Sequence, residues 1–114
     1  MEISPLSIKE LLLWALRRRD RLRITGRSML PLLQPGDEVL VNPRAYRRQP
    51  PEPGDIVVAR HPNQDLKLVK RVVVVRDDGD CLLSGDNPAE SSDSRQFGAV
   101  SSSYILGRVT CRFG

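Results

Sequence analysis

The sequence predicts a mainly β fold with one N-terminal helix, and three observations lead there. Helical periodicity is confined to residues 7–19. From Leu22 onward, short β-branched runs alternate with Pro-Gly and Asp-Gly turn signals. The chain has 114 residues, a length that supports one core, so we expect a single domain over residues 1–114 with a β portion over 22–114. Hydrophobic residues at 39% and charged residues at 28% are ordinary globular usage and exclude disorder.

The helix opens at Ser7, and Glu10 three residues on fits a capping box. Ile8, Leu11, Leu12, Ala15 and Leu16 form an apolar stripe that we expect to pack on the core, with a partner or lipid surface as the alternative. The arginines at its far end suit the negative pole of the helix. Strands are expected at 22–25, 38–42, 55–60, 66–76, 80–84 and 104–112. Pro35-Gly36-Asp37 and Pro53-Gly54-Asp55 each combine Pro and Gly in type II order and precede a β-branched run. They read equally as a small internal repeat or as convergent turn chemistry. Asp77-Asp78-Gly79 marks a hairpin.

Several classes of function are excluded. Aromatics at 4% leave little for base stacking. The net charge of +4 is concentrated in residues 17–27, which hold six arginines and one aspartate, whereas a nucleic-acid binder spreads a basic face over its fold. No nucleic-acid partner is expected. The apolar run Leu11 to Leu16 is far short of a membrane span and lacks the flanks of a secretory signal, so a cytoplasmic protein without a membrane span, with at most weak peripheral membrane contact, is expected. Cys81 and Cys111 lie 30 residues apart without a CxxC pair and read as two buried thiols. The single histidine, His61, reads as a loop residue. No metal and no cofactor are expected.

Of 18 basic residues, only Lys9, Lys67 and Lys70 are lysine. Alternation along 66–75 places Lys70 on a face with Leu66, Leu68, Val72 and Val74, and Lys67 on the other with Arg71. Burial disfavours the ammonium form, so Lys70 is a candidate neutral base, against the alternative of a lysine snorkelling from an edge. Ser28 lies between Gly26 and Pro31, residues that fix a turn able to present a hydroxyl. The segment Gly85-Asp86-Asn87 through Gly98 is dense in turn-forming acceptors, and Asp93 with Arg95 fits a carboxylate–guanidinium clamp.

Together these segments resemble the type I signal peptidases, a family of serine–lysine peptidases. Ser28-Met29-Leu30-Pro31 resembles the nucleophile box, Pro35-Gly36-Asp37 the next, Lys70-Arg71-Val72 the general-base box, and Gly85-Asp86-Asn87 with Ser91, Asp93, Ser94, Arg95 and Gly98 the last. Self-cleaving repressors of the LexA type share the Ser-Met and Lys-Arg pairs but not this last segment. The resemblance implies a compact antiparallel fold of the signal-peptidase and LexA kind, with Ser28 as nucleophile and Lys70 as base. It further implies Ser91 orienting the amine, Asp93 and Arg95 bracing the wall, the Ser28 N–H as oxyanion donor, and Met29, Pro31, Asp86 and Asn87 near the substrate. Some members place a serine hydroxyl where this chain has Gly26, so that side-chain donor is missing. The short chain and the phrases Ser-Met-Leu-Pro-Leu-Leu and Ile-Leu-Gly-Arg-Val are similar to the nickel-type superoxide dismutase maturation proteases. That narrower likeness implies a precursor of that dismutase as partner and removal of its N-terminal leader as activity. A non-catalytic peptide-binding module, and a peptidase of the same family with another client, are the alternatives.

Overall fold

The computed structural model describes residues 3–90 and 93–113. Six strands form one antiparallel sheet: β1 (Asp20–Arg23), β2 (Glu38–Asn42), β3 (Ile56–Arg60), β4 (Lys67–Val75), β5 (Cys81–Ser84) and β6 (Ile105–Phe113), in the order β1-β2-β6-β3-β4-β5. Helix α1 (Ile8–Ala15) precedes the sheet, and a one-turn helix α2 (Ser94–Phe97) lies between β5 and β6. The expected mainly β class with an N-terminal helix is what the chain adopts.

The turns form as their chemistry dictates. The Asp37 N–H donates to the Gln34 carbonyl and the Asp55 N–H to the Glu52 carbonyl, both at 3.0 Å. Gly36 and Gly54 take positive φ, and in each turn the aspartate carboxylate accepts back from the first residue's N–H. Gly79, at φ 91°, closes the β4–β5 hairpin. Because β3 is central, Val57 and Val58 face opposite ways into two cores. One holds Met29, Leu33, Val39, Val41 and Val58; the other holds Val57, Ala59, Val72, Leu83 and Val100.

Three expectations need correction. The first strand occupies 20–23, and Ile24 instead enters the core at the start of the following loop. The helix ends at Ala15 because Arg17 adopts a left-handed φ of 61°. The Arg17 N–H then donates to the Trp14 carbonyl and the Arg18 N–H to the Leu13 carbonyl, closing a Schellman cap.

The apolar stripe of α1 does not pack on the core. Ile8 is 79% exposed and Leu16 71%, with Leu11 and Leu12 also exposed. The helix docks through its other face: Trp14 meets Phe113 edge-on at 5.0 Å, and the Arg21 guanidinium lies 4.0 Å from the Phe113 ring centre. Ser7 caps the Glu10 N–H as expected, but the Glu10 carboxylate binds Arg19 through two bonds and accepts from the Thr110 hydroxyl. A polar anchor and one aromatic pair therefore decide which face turns inward. His61 lies in the loop between β3 and β4, as expected, and is buried there with its ring 4.9 Å from Phe97.

Candidate active site

Ser28 lies on the loop after β1, half-buried, in a cavity of about 290 Å³ shared with Leu22, Ile24, Met29, Lys67 and Val69. One cavity touches both the β1 end and β4, so the sheet coils until strands separated by β2, β6 and β3 face each other. Met29 is buried beside Ser28 and anchors the loop, while Pro31, after a cis bond from Leu30, is exposed. The Ser28 N–H and hydroxyl make no hydrogen bond to any described residue, which leaves one donor and one nucleophilic oxygen available at the cavity. Gly26 takes a φ of 74° with open space around it, so a serine there would be strained by its backbone and not by crowding.

Lys70 is 3% exposed, as the strand alternation requires. Desolvation pushes its ammonium below the ordinary lysine value, and the negative charge of Asp93 partly opposes that shift. Of the apolar partners expected on its face, Val72 is buried, but Leu66 and Val74 are exposed. Leu66 lies ahead of β4, whereas Val74 follows a bulge: Val72 pairs Leu83 and Val74 pairs Leu82, so Val73 is an extra residue that breaks the alternation. No hydrogen bond joins Ser28 to Lys70 among the described residues.

Asp93 is fully buried and works in two directions. It caps α2, accepting from the Arg95 N–H with Gln96 reciprocating, and it binds the Arg95 guanidinium through both carboxylate oxygens at 3.1 Å. Burial alone would raise its carboxyl, but the Arg95 bonds and a Gly85 N–H outweigh that and hold it below the usual range. The Ser94 hydroxyl accepts from the Leu83 N–H at 2.8 Å, fastening α2 to β5. Ser91, assigned to orient the amine, lies outside the described residues.

The segment after β5 ties the two halves together. The Asn87 N–H donates to the Ser28 carbonyl at 2.7 Å, and its side-chain amide donates to the Arg27 carbonyl. Asp86 takes the neighbour of Lys70: Arg71 forks onto both of its oxygens at 2.8 Å. Asp86 and Asn87, expected near the substrate, thus clamp the Ser28 loop to the Lys70 strand. Arg71 was not among the expected site residues. Its only signal was its place beside Lys70, since a partner 15 residues away is invisible to periodicity.

β4 pairs with β3 over Lys67–Arg71 but with β5 only from Arg71 onward. Residues 67–69 therefore have one edge that no described strand pairs, and Lys67 and Val69 line the Ser28 cavity there. Such an edge can accept an extended peptide as an added strand.

The comparisons agree with this arrangement. The model of the family described as signal peptidase, peptidase S26, matches residues 11–78 and 74–113. The chain is similar to the mitochondrial ATP-independent inner membrane protease subunit 1b of Arabidopsis thaliana, at 37% identity over 76% of this chain and 65% of the relative. It is similar to the mitochondrial inner membrane protease subunit 2 of Danio rerio, at 32% identity over 77% and 60%. Signal peptidase IB of Staphylococcus aureus is 27% identical over 79% and 75%. The chain thus spans less than two-thirds of the length of either mitochondrial relative. No helix among the described residues is long and apolar enough to cross a membrane. Because the family match takes in the serine loop, the buried lysine strand and the clamp joining them, the chain belongs to the S26 signal peptidase family.

Proposed function

We propose that this chain is a serine endopeptidase that removes an N-terminal leader from a precursor protein, with Ser28 as nucleophile and Lys70 as general base. The burial of the Lys70 amine carries the reading, because a desolvated lysine is the base this chemistry needs. The substrate lies extended along the edge of residues 67–69, which no described strand covers. Ser28 Oγ attacks the scissile carbonyl while Lys70 Nζ takes its proton. The Ser28 N–H donates to the carbonyl oxygen as it becomes an oxyanion. The Lys70 ammonium then protonates the departing amine, and water attacks the acyl-enzyme by the same route in reverse, returning the serine hydroxyl and releasing the acid. Apo dyads are commonly longer than a hydrogen bond and tighten with substrate, which fits the absence of a direct Ser28–Lys70 bond.

The client we propose is a nickel superoxide dismutase precursor, on the likeness of the Ser28 and Gly107 segments to those maturation proteases. The reaction is placed in the cytoplasm, which suits the two free, buried cysteines. Mass spectrometry of the leader-bearing precursor tests both parts. Wild type should release the leader, and Ser28→Ala should leave it attached. Cleavage of other leader-bearing precursors but not this one rejects the client and keeps the peptidase. The lining of the Ser28 cavity, which takes in Lys67 and Val69 but not Lys70, favours a second reading, a peptide-binding module; binding by wild type with no change in substrate mass would establish it.

A further inference from the structure

Arg19, Arg21, Arg23, Arg27, Arg71, Arg95 and Arg112 each hold a carboxylate. Arg44, Arg47, Arg48 and Arg108 hold none among the described residues, yet all four line one cleft of about 390 Å³ together with Asn42 and Gln49. No acidic side chain among the described residues lines that cleft.

The loop backbone that carries Arg44, Arg47 and Arg48 is held in place by local bonds. Asn42 Oδ1 accepts from the Arg44 N–H at 3.0 Å, the Ala45 N–H donates to the Asn42 carbonyl, and the Arg47 N–H donates to the Arg44 carbonyl. The Tyr46 hydroxyl donates to Asp55 at 2.7 Å and pins the middle of the loop. Pro43 before it, and Pro50 with Pro51 after it, restrict the flanks. Arg108 comes from β6, in register between Asn42 of β2 and Val57 of β3, and rises half-buried from the sheet. Four like charges around a concave space repel one another unless an anion joins them. Guanidinium forks match phosphate oxygens two at a time. The volume suits a small ligand and not a strand of polymer.

We propose that this cleft is a binding site for a ligand carrying two neighbouring phosphate groups, each gripped by guanidinium forks from the 44–48 loop and Arg108. Ser28 does not line it, so the site is separate from the candidate peptidase centre and stands whether or not that centre cleaves peptides.

Titration calorimetry of the full chain with inorganic pyrophosphate tests this, with sodium chloride at matched ionic strength as control. Saturable binding is expected, together with a rise in Tm that chloride does not reproduce. Arg44→Gln and Arg48→Gln, both at exposed positions, should each weaken binding about tenfold or more, since each removes charge-assisted bonds. Arg108→Gln should do the same; the two loop variants decide the matter if it fails to fold. Vesicles of phosphatidylcholine with and without phosphatidic acid separate the sources. Retention only with phosphatidic acid, reversed by pyrophosphate, assigns a lipid headgroup; pyrophosphate binding without retention assigns a soluble phosphate. Equal stabilisation by chloride and pyrophosphate, or pyrophosphate affinity unchanged in both loop variants, overturns the proposal.

Discussion

Lys70 shows how one buried residue can set a stability profile and, on the proposed function, a reaction as well. Burial lowers its amine below the ordinary 10.5, so the native state binds fewer protons than the unfolded chain between those two values. Stability therefore rises with pH across that window, and at neutral pH the buried ammonium is a cost. Lys70→Met should leave stability at neutral pH unchanged or higher, and should remove the rise as pH approaches 10.5, as read from urea unfolding. The same variant should abolish precursor cleavage, while wild-type cleavage should increase with pH through a value below 10.5. A strongly destabilised Lys70→Met would make the lysine structural. Gly107 is constrained for a different reason: a Cβ there would stand 2.7 Å from the Asn42 carbonyl oxygen and 2.8 Å from Val41 Cγ1. Gly107→Ala should cost about 1–3 kcal/mol, as overpacking does, measured by denaturant midpoint.

At the scale of elements, α1 inverts the usual amphipathic rule. Its inward face holds Glu10, Leu13 and Trp14, and its apolar stripe faces outward. Burying Glu10 is tolerated because Arg19 and Thr110 satisfy its oxygens, and those bonds hold its carboxyl below the usual range against a desolvation that pushes it up. Leu12→Ser and Leu16→Ser should each change stability by less than about 0.5 kcal/mol, because both side chains stay more than half exposed. Trp14→Ala should cost more than about 1 kcal/mol through its ring contacts with Phe113 and Arg21. Thermal unfolding of the three variants distinguishes this packing from a core-facing stripe, for which each leucine change would cost about 2–5 kcal/mol.

Across the whole molecule, the candidate site is assembled from three distant stretches: the loop after β1, strand β4, and the segment from Ser84 to Arg95. The Arg71–Asp86 pair and the Asn87 bonds are what join them. Asp86→Asn leaves a half-buried guanidinium short of its partner and should cost about 1–3 kcal/mol by urea unfolding. Under folding conditions it should also lower precursor cleavage, since the segment whose Asn87 holds the Ser28 loop then loses its Arg71 tie to β4.

Local chemistry was readable without the fold. The 38–42 strand, both Pro-Gly-Asp turns and the β4–β5 hairpin depend on neighbours within a few residues, and each formed where its residues pointed. Alternation also put Lys70 on an apolar face, leaving burial or snorkelling open until the fold showed it buried, and the Asp93–Arg95 clamp came from two residues two apart. Strand order, the bulge at Val73, the exposed stripe of α1, the Arg71–Asp86 clamp and the four-arginine cleft arose only in three dimensions. Each depends on partners 15 to 100 residues apart, or on a register shift between strands, and no periodicity within one segment encodes which distant surface will meet it.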